Sequence, residues 1–369
     1  MTAAERGAPS PGAAGAPSSV LVIGSGVAGA ATAFALVRRG VAVTVADAGL
    51  TGRATDAGAG IIQPWSTAAD GDFYELYAAS ADYYPELIER LAEVGVDDIG
   101  FRRSGALIVN RDAAVIDAAE ERIARRAPEA RTIGTVRRTD AAAARALFPP
   151  LGDGFHALHI AGGARVDGRA LRAGLLAGAQ AHGAQCVDGT VFLGADGVAR
   201  IEERELTADA LVVAAGAWTN RVLDRLGARV PVEPQRGQIT HLRLDGVSTR
   251  DWPSVHPVAP HYLVAFDDAR VVVGATRETG SGFDARVTAA GQQQVLADAL
   301  SVAPGLADAT VIETRVGLRP LPEGELPSVG ELDGHPGVFV NAGFGAAGLT
   351  MGPLVGDLLA EQIVGTAAA

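Results

Sequence analysis

The segment from Val20 to Ala31 reads V-L-V-I-G-S-G-V-A-G-A-A and places glycines at 24, 26 and 29. This G-x-G-x-x-G spacing suits a turn that binds a dinucleotide. Gly24 makes the tight turn, Gly26 lets backbone approach a pyrophosphate, and Gly29 lets a helix lie close to a strand. The N–H groups and positive end of a helix opening at Val27 and Ala28 favour a diphosphate. Asp47, followed by Ala48, closes the next apolar run 23 residues after Gly24. Its carboxylate there can accept both hydroxyls of an adenosine ribose. Strand, turn, helix, strand and terminal acid occur in order within about 30 residues, the span of one βαβ unit. A dinucleotide cofactor is therefore expected, and the motif by itself does not separate FAD from NAD.

The elements that must position these residues follow from periodicity and punctuation. Strands are expected at 19–23 and 41–47 with a helix over 27–39 between them, ended by Gly40. An amphipathic helix is expected over 73–94, a strand over 101–110 and a helix over 113–126. A strand at 156–160, a helix over 165–182 and a buried strand at 211–215 come next. The pattern then turns strand-rich at 238–244, 262–266 and 270–275, followed by a helix over 291–301 and a closing helix over 353–364. Strands and helices alternate towards both ends, and a sheet-rich block lies between. This predicts an α/β nucleotide domain into which a second, α+β domain is inserted.

Composition narrows the class. The 369 residues are 48% hydrophobic, enough for a sizeable core and for two or three domains. Acidic residues outnumber basic ones, 43 to 31, and every basic residue is arginine. An acidic chain without a long arginine run is a poor partner for nucleic acid or an anionic membrane. Residues 20–37 are apolar or small throughout, but three glycines and a second strand pattern argue against a membrane span. Residues 1–18 carry no apolar period and read as a disordered leader. Cys186, the only cysteine, excludes an internal disulfide and a cysteine metal cluster, and it reads as a buried small hydrophobe. No metal-spaced His/Glu set and no Ser/His/Asp arrangement appears, so no metal is expected. A soluble cytoplasmic protein is the expectation.

Further segments separate FAD from NAD. They are T-G-R-A-T-D-A-G-A-G-I-I-Q-P-W (Thr51 to Trp65), V-D-G-R-A-L (Val166 to Leu171), L-V-V-A-A-G-A-W-T (Leu211 to Thr219) and P-V-E-P-Q-R-G-Q-I (Pro231 to Ile239). V-V-V-G-A-T-R-E (Val271 to Glu278), V-G-L-R-P (Val316 to Pro320) and N-A-G-F-G-A-A-G-L-T-M-G-P (Asn341 to Pro353) complete the set. In this order the set resembles the FAD-dependent D-amino-acid oxidase family, in its glycine oxidase and D-amino-acid dehydrogenase branch, over residues 19–365. The resemblance implies a Rossmann-like FAD-binding domain of the GR2 type (19–80, 150–220 and 316–369). It also implies an inserted α+β substrate domain (81–149 and 221–315) containing a mixed or antiparallel sheet.

The resemblance assigns cofactor contacts to Arg53, Thr55, Ala57, Gly58 and Ile61, with Arg53 offsetting phosphate charge. It adds Val191 at the adenine, Ala215 and Gly216 after the buried strand, and the loop Gly345, Ala346, Ala347, Gly348, Leu349 and Thr350 before a helix with Pro353 in its first turn. Phe344 stands where the family often has histidine. Arg319 in G-L-R-P is the implied carboxylate anchor, and it counts among the cofactor contacts as well. A guanidinium fork suits that task because it binds carboxylate bidentately and stays charged in an apolar cleft. Tyr262 is implied as its hydroxyl partner. His261, Trp65, Gln63 and Phe344 are candidates for the substrate pocket, and His256 for its lining, with the core the favoured place for Trp65 and Gln63, while Trp218 reads as core. Cys186 does not match the position of the family's flavin-linking cysteine, so FAD is expected to be non-covalent.

The implied reaction is oxidation of the C–N bond of a small amino acid, of D-amino acid or glycine type. Hydride passes from Cα to flavin N5, and the imine hydrolyses to a 2-keto acid. Oxygen or another acceptor takes the electrons. The alternatives are a secondary-amine, N-methyl or cyclic imino-acid oxidase, of sarcosine or proline type, and a 2-hydroxy-acid dehydrogenase using a base such as His261. A flavin-bearing subunit that needs a partner for catalysis is an alternative of a different class. Homo-oligomeric assembly stays open.

Overall fold

The protein, seen in a computed structural model, is described for residues 16–365. Of the expected leader, residues 1–15 lie outside the described residues, whereas Ser18 is held, its N–H and hydroxyl both donating to Asp209 Oδ2.

A six-stranded sheet carries the glycine turn. Its order is Ser328–Glu331, Val338–Ala342, Ala210–Val213, Ser19–Ile23, Ala42–Asp47 and Gln185–Asp188. All neighbours are parallel except the edge strand Ser328–Glu331. Parallel strands buried on both faces read as unbroken apolar runs, as in Val20-Leu21-Val22-Ile23. The helix Val27–Arg38 is buried from Val27 to Val37 because it is covered on every side. It packs on the C-terminal helix Gly348–Gly365 and on Gly168–Ala181. The helices sit closest where a Cβ on Gly356 would come within 2.8 Å of Thr32 N.

A nine-stranded mixed sheet forms the second layer. Its long strands Val232–Arg243 and Thr310–Pro322 pair antiparallel, with a register shift at His241/Leu242. His156–Ile160, in a range expected for the cofactor domain, pairs with Ala106–Asn110 in this sheet, and Thr310–Pro322 crosses the expected boundary between residues 315 and 316. A three-stranded antiparallel ribbon, Val191–Leu193, Ala199–Ile201 and Arg204–Leu206, hangs beside the first sheet.

Most expected elements form within a few residues of their expected bounds. The amphipathic helix is Gly71–Ala92, and Asp167 caps Gly168–Ala181 by accepting from Arg169 and Ala170 N–H. The closing helix differs more. It opens at Gly348, so Pro353 lies in its second turn and not its first. Proline has no N–H for the carbonyl four residues back, that of Leu349. The buried Tyr84 hydroxyl donates to that carbonyl and replaces the missing bond. Cys186 also departs from expectation: it is exposed on the edge strand Gln185–Asp188 and not a buried hydrophobe. No helix among the described residues is long and apolar enough to cross a membrane.

Candidate active site

A cavity of about 890 Å³ runs past the carboxyl ends of four parallel strands, touching Ile23, Asp47, Ala214 and Ala342. This is where open α/β sheets bind ligands. Gly24 has φ +103°, and a Cβ there would lie 2.5 Å from the Ala214 carbonyl oxygen. A Cβ on Gly29 would collide with the Gly24 carbonyl, so Gly29 serves helix packing and does not itself reach the cavity. Gly26 is the N-cap of its helix, without a side-chain cap, and lines the cavity with Val27 and Ala28. The Val27 N–H donates to Thr55 Oγ1 at 2.9 Å, which ties the glycine turn to the following loop.

Asp47 is fully engaged within the chain. Its Oδ2 accepts from the Ser25 N–H and hydroxyl, both at 2.7 Å, and its Oδ1 from Gly49 N–H at 2.8 Å and Arg53 Nη2 at 2.6 Å. Partial burial opposes ionisation, but the Ser25 and Gly49 bonds and the Arg53 charge outweigh it and hold the carboxyl below its usual range. Arg53 also pairs with Asp56 at 2.8 Å. It stands between two carboxylates at the cavity wall, so part of the charge expected to offset phosphate is already neutralised.

Of the other expected cofactor contacts, Ala48, Ala57, Gly58, Ile61, Val191, Ala215, Gly216 and residues 345–349 all line the cavity. Thr350 does not. It is buried beneath, its hydroxyl donating to the Ile61 carbonyl at 2.9 Å. Trp65 lies in the core, 1% exposed and away from the cavity, while Gln63 and Phe344 reach it. Trp218, expected in the core, is instead half-buried on the cavity wall, its ring centroid 5.8 Å from that of Phe283.

The residues expected at the substrate come together on the second sheet. Arg319 lies on Thr310–Pro322, and Tyr262 opens the strand Tyr262–Ala265. Arg319 Nη1 donates to the Thr276 carbonyl at 3.0 Å, and its guanidinium lies directly over Gly237. It has no carboxylate partner in an ion pair among the described residues. Burial pulls its pKa down and the Arg277 charge adds to this, with Tyr262 and Glu278 opposing. Burial likewise pushes the Tyr262 hydroxyl up, despite Arg319 and Arg277 nearby. His261 lines the same cavity with Nε2 buried and unpartnered, and burial lowers its pKa. His256 also lines it, at 2.9 Å from the Ser254 hydroxyl, and burial takes it down to about 4. Both histidines are therefore neutral near pH 7. Arg277 is the residue that sequence reasoning passed over. It stands in the quoted A-T-R-E segment, but its approach to Tyr262 and Arg319 depends on how the strands pair.

A doubly wound sheet with this glycine turn, carboxylate and cleft defines a dinucleotide-binding protein, and a cationic cluster on the second sheet lines the same cleft. The family described as DAO, FAD dependent oxidoreductase, matches residues 19–362. The chain is 43% identical to an uncharacterised oxidoreductase, YurR, of Bacillus subtilis, over 94% of this chain and 95% of the relative. It is 34% identical to a glycine oxidase of Pseudomonas putida over 94% of each chain. Among solved structures, iminodiacetate oxidase from Chelativorans sp. BNC1 superposes with a TM-score of 0.91 at 50% identity, covering 94% of this chain and 95% of that one. The chain belongs to the DAO family of FAD-dependent oxidoreductases. It has the family's Rossmann-like FAD-binding fold with an inserted domain, and its reaction class is oxidation at C–N bonds.

The residues present suit FAD. The cradle at Gly24 and Gly26 has no side chain in the way, an uncapped helix N-terminus faces the cavity, and Asp47 stands ionised beside it. The first residues of Gly348–Gly365 line the same cavity, placing a second positive helix end against it.

Proposed function

We propose that this enzyme oxidises the C–N bond of a small α-amino acid whose carboxylate is held by Arg319 and Tyr262, with FAD bound non-covalently. The observation that carries the reading is Arg319 itself: a cavity-lining cation that hydrogen-bonds to a backbone carbonyl and forms no ion pair with a carboxylate of the chain. Such a group is completed by an anionic ligand, and a guanidinium fork takes a carboxylate bidentately.

Bound FAD would supply the two-electron acceptor for the hydride leaving Cα, the nitrogen lone pair closing the C=N bond. Arg319 and Tyr262 fix the carboxylate, and so fix where Cα–H points. Apolar wall residues such as Phe344 and Leu349 exclude water during that step. Neutral His261 and His256 leave the substrate amine free of cationic repulsion from that side. Water then adds to the imine and the C–N bond breaks, leaving a 2-keto acid and the amine. Cys186 lies outside the cavity, which supports a non-covalent flavin.

A secondary amine is the second reading, favoured by the 50% identity to an iminodiacetate oxidase. The test is an anaerobic screen of the holoenzyme with glycine, D- and L-amino acids, N-methyl amino acids, proline isomers, iminodiacetate and 2-hydroxy acids, followed by flavin bleaching. Arg319→Ala should keep its flavin and lose bleaching by at least a hundredfold in apparent affinity. Bleaching by 2-hydroxy acids alone, or unchanged kinetics in the variant, would overturn the proposal.

A further inference from the structure

We propose that Arg126 is a positioning residue for the reaction: its buried guanidinium holds residues 65–70 in the shape of the cavity wall against which the substrate is oriented. This rests on the reading of the cavity as the site of amine oxidation, whichever amine is taken.

The helix Ala113–Arg126 buries Ile116, Ala119, Ile123 and Arg126, a stripe at helical spacing whose last member is a charge where an apolar residue would serve the core. A charge placed there must find its partners inside. Both terminal nitrogens are fully used. Nη1 donates to the Trp65 carbonyl at 2.9 Å and the Thr67 carbonyl at 2.8 Å, and Nη2 to the Ala69 carbonyl at 2.6 Å and to Asp70 Oδ1. The guanidinium also lies over the Tyr74 ring, 3.8 Å from its centroid. Carbonyls of alternate residues thus converge on one planar fork, which the compact ammonium of a lysine does not reproduce. Asp70 is diverted to the same purpose. It is the N-cap of Gly71–Ala92, where an aspartate ordinarily accepts from its own helix, yet it makes no capping bond and its carboxylate goes to Arg126.

The segment so held is cavity wall. Gln63, Ser66, Thr67 and Ala69 line the cavity, with Phe73 and Tyr77 from the helix that follows. At one end Ile61 packs in the same apolar cluster as Tyr262, and at the other Phe73 and Tyr77 pack against Phe344 and Ala347. The wall therefore runs from the proposed carboxylate anchor to the C-terminal glycine loop. No strand pairs with residues 63–70. The wall's own bonds are short-range, Ser66 N–H to Gln63 Oε1 at 3.3 Å and Thr67 N–H to the Pro64 carbonyl at 3.1 Å. Beyond the buried Trp65 ring, the bonds that reach it from a distant part of the chain are those of Arg126. A wall released by about 1 Å costs on the order of 100-fold in rate, because orientation of the reacting bond is lost.

The test compares wild-type holoenzyme with Arg126→Ala and Arg126→Lys, taking the exposed neighbour Arg125→Ala as control. Anaerobic flavin reduction is followed with glycine, sarcosine and iminodiacetate. Arg126→Ala should keep its full flavin and lose about 100-fold in the second-order rate of reduction. Guanidinium chloride at about 10 mM should restore at least tenfold of that loss, and do nothing for wild type or Arg126→Lys, because the free ion replaces the missing fork. Hydrogen exchange needs no turnover: the Ser66 and Thr67 amides should be slow in wild type without any amine, and at least tenfold faster in Arg126→Ala. Where Arg126→Ala fails to fold, Asp70→Asn removes one charge from the exposed side and should show the same pattern at about two- to fivefold. Full flavin with reduction within twofold of wild type overturns the proposal, as does a loss that merely tracks flavin content. Exchange at Ser66 and Thr67 that slows only when iminodiacetate is added overturns it too, since the wall is then a lid that closes on its ligand. If Arg319→Ala leaves reduction unchanged while Arg126→Ala slows it, the carboxylate reading fails and this one stands.

Discussion

A single methyl group at Gly237 should disable substrate binding without touching the cofactor. A Cβ at that position would lie 2.5 Å from Cζ of Arg319. Ordinary carbon contacts start near 3.5 Å, so the guanidinium must withdraw by about 1 Å. The obstructing group is the far end of a flexible side chain, so the backbone pair Val232–Arg243 with Thr310–Pro322 has no reason to move. Folding stability should change by less than about 1 kcal/mol, the usual scale for a tolerated glycine-to-alanine change. Binding suffers more. Charge-assisted bonds to carboxylate need about 2.7–2.9 Å, and a 1 Å displacement forfeits most of their roughly 1.5–3 kcal/mol. Gly237→Ala is therefore expected to lower kcat/KM by about 10- to 100-fold, chiefly through KM. The assay is steady-state kinetics with the substrate found by flavin bleaching, alongside flavin absorbance per chain and a thermal melt. A variant with full flavin, an unchanged melt and kcat/KM within twofold of wild type would refute the placement of Arg319 at the substrate.

Other outcomes follow from the same geometry. Asp47→Asn, which removes the charge opposite Arg53, should weaken FAD retention on gel filtration by at least tenfold. Because the folded pKa of Asp47 is held below its unfolded value, its contribution is present above the usual carboxylate range and is lost as pH falls through the folded value. Wild type should therefore keep flavin at pH 5 to 8 and shed it only below about pH 4. Tyr84→Phe leaves the Leu349 carbonyl without a donor, since Pro353 offers none, at a cost of about 1–3 kcal/mol. A melting point lowered by several degrees, with flavin reduction preserved, is the check. Alkylation of exposed Cys186 should leave flavin content and reduction unchanged, and acid denaturation should release all the flavin into the supernatant.

The cofactor half of the molecule was legible because its constraints are local. Gly24, Gly29 and Asp47 sit in one continuous βαβ unit, where a positive φ, a close helix–strand contact and a strand-end acid each demand a residue type. The closing helix was misplaced by five residues because Pro353 suggests a first turn. What permits proline in the second turn is Tyr84, 269 residues earlier in the chain, and no local pattern carries that. Trp218, read as core, lines the cavity instead for the same reason. An aromatic residue near a loop packs inward or lines a cleft according to what covers it. Here Phe283, from another segment, stands over Trp218.

The proposed substrate site depends on register more than on motif. Gln235 pairs with Arg319, Arg236 with Leu318 and Gly237 with Gly317, so the glycine that makes room for the guanidinium is set by strand pairing across some 80 residues. A one-residue slip would turn Arg319 to the opposite face of the sheet, away from the cavity. The same strand, Val232–Arg243, carries Gln238, which anchors Thr276 and Glu278 on either side of Arg277. One strand thus fixes both cations, holding Arg319 by leaving space and Arg277 by holding its neighbours. Changes at Arg277 should therefore leave the pairing that places Arg319, and the glycine turn at Gly24, as they are.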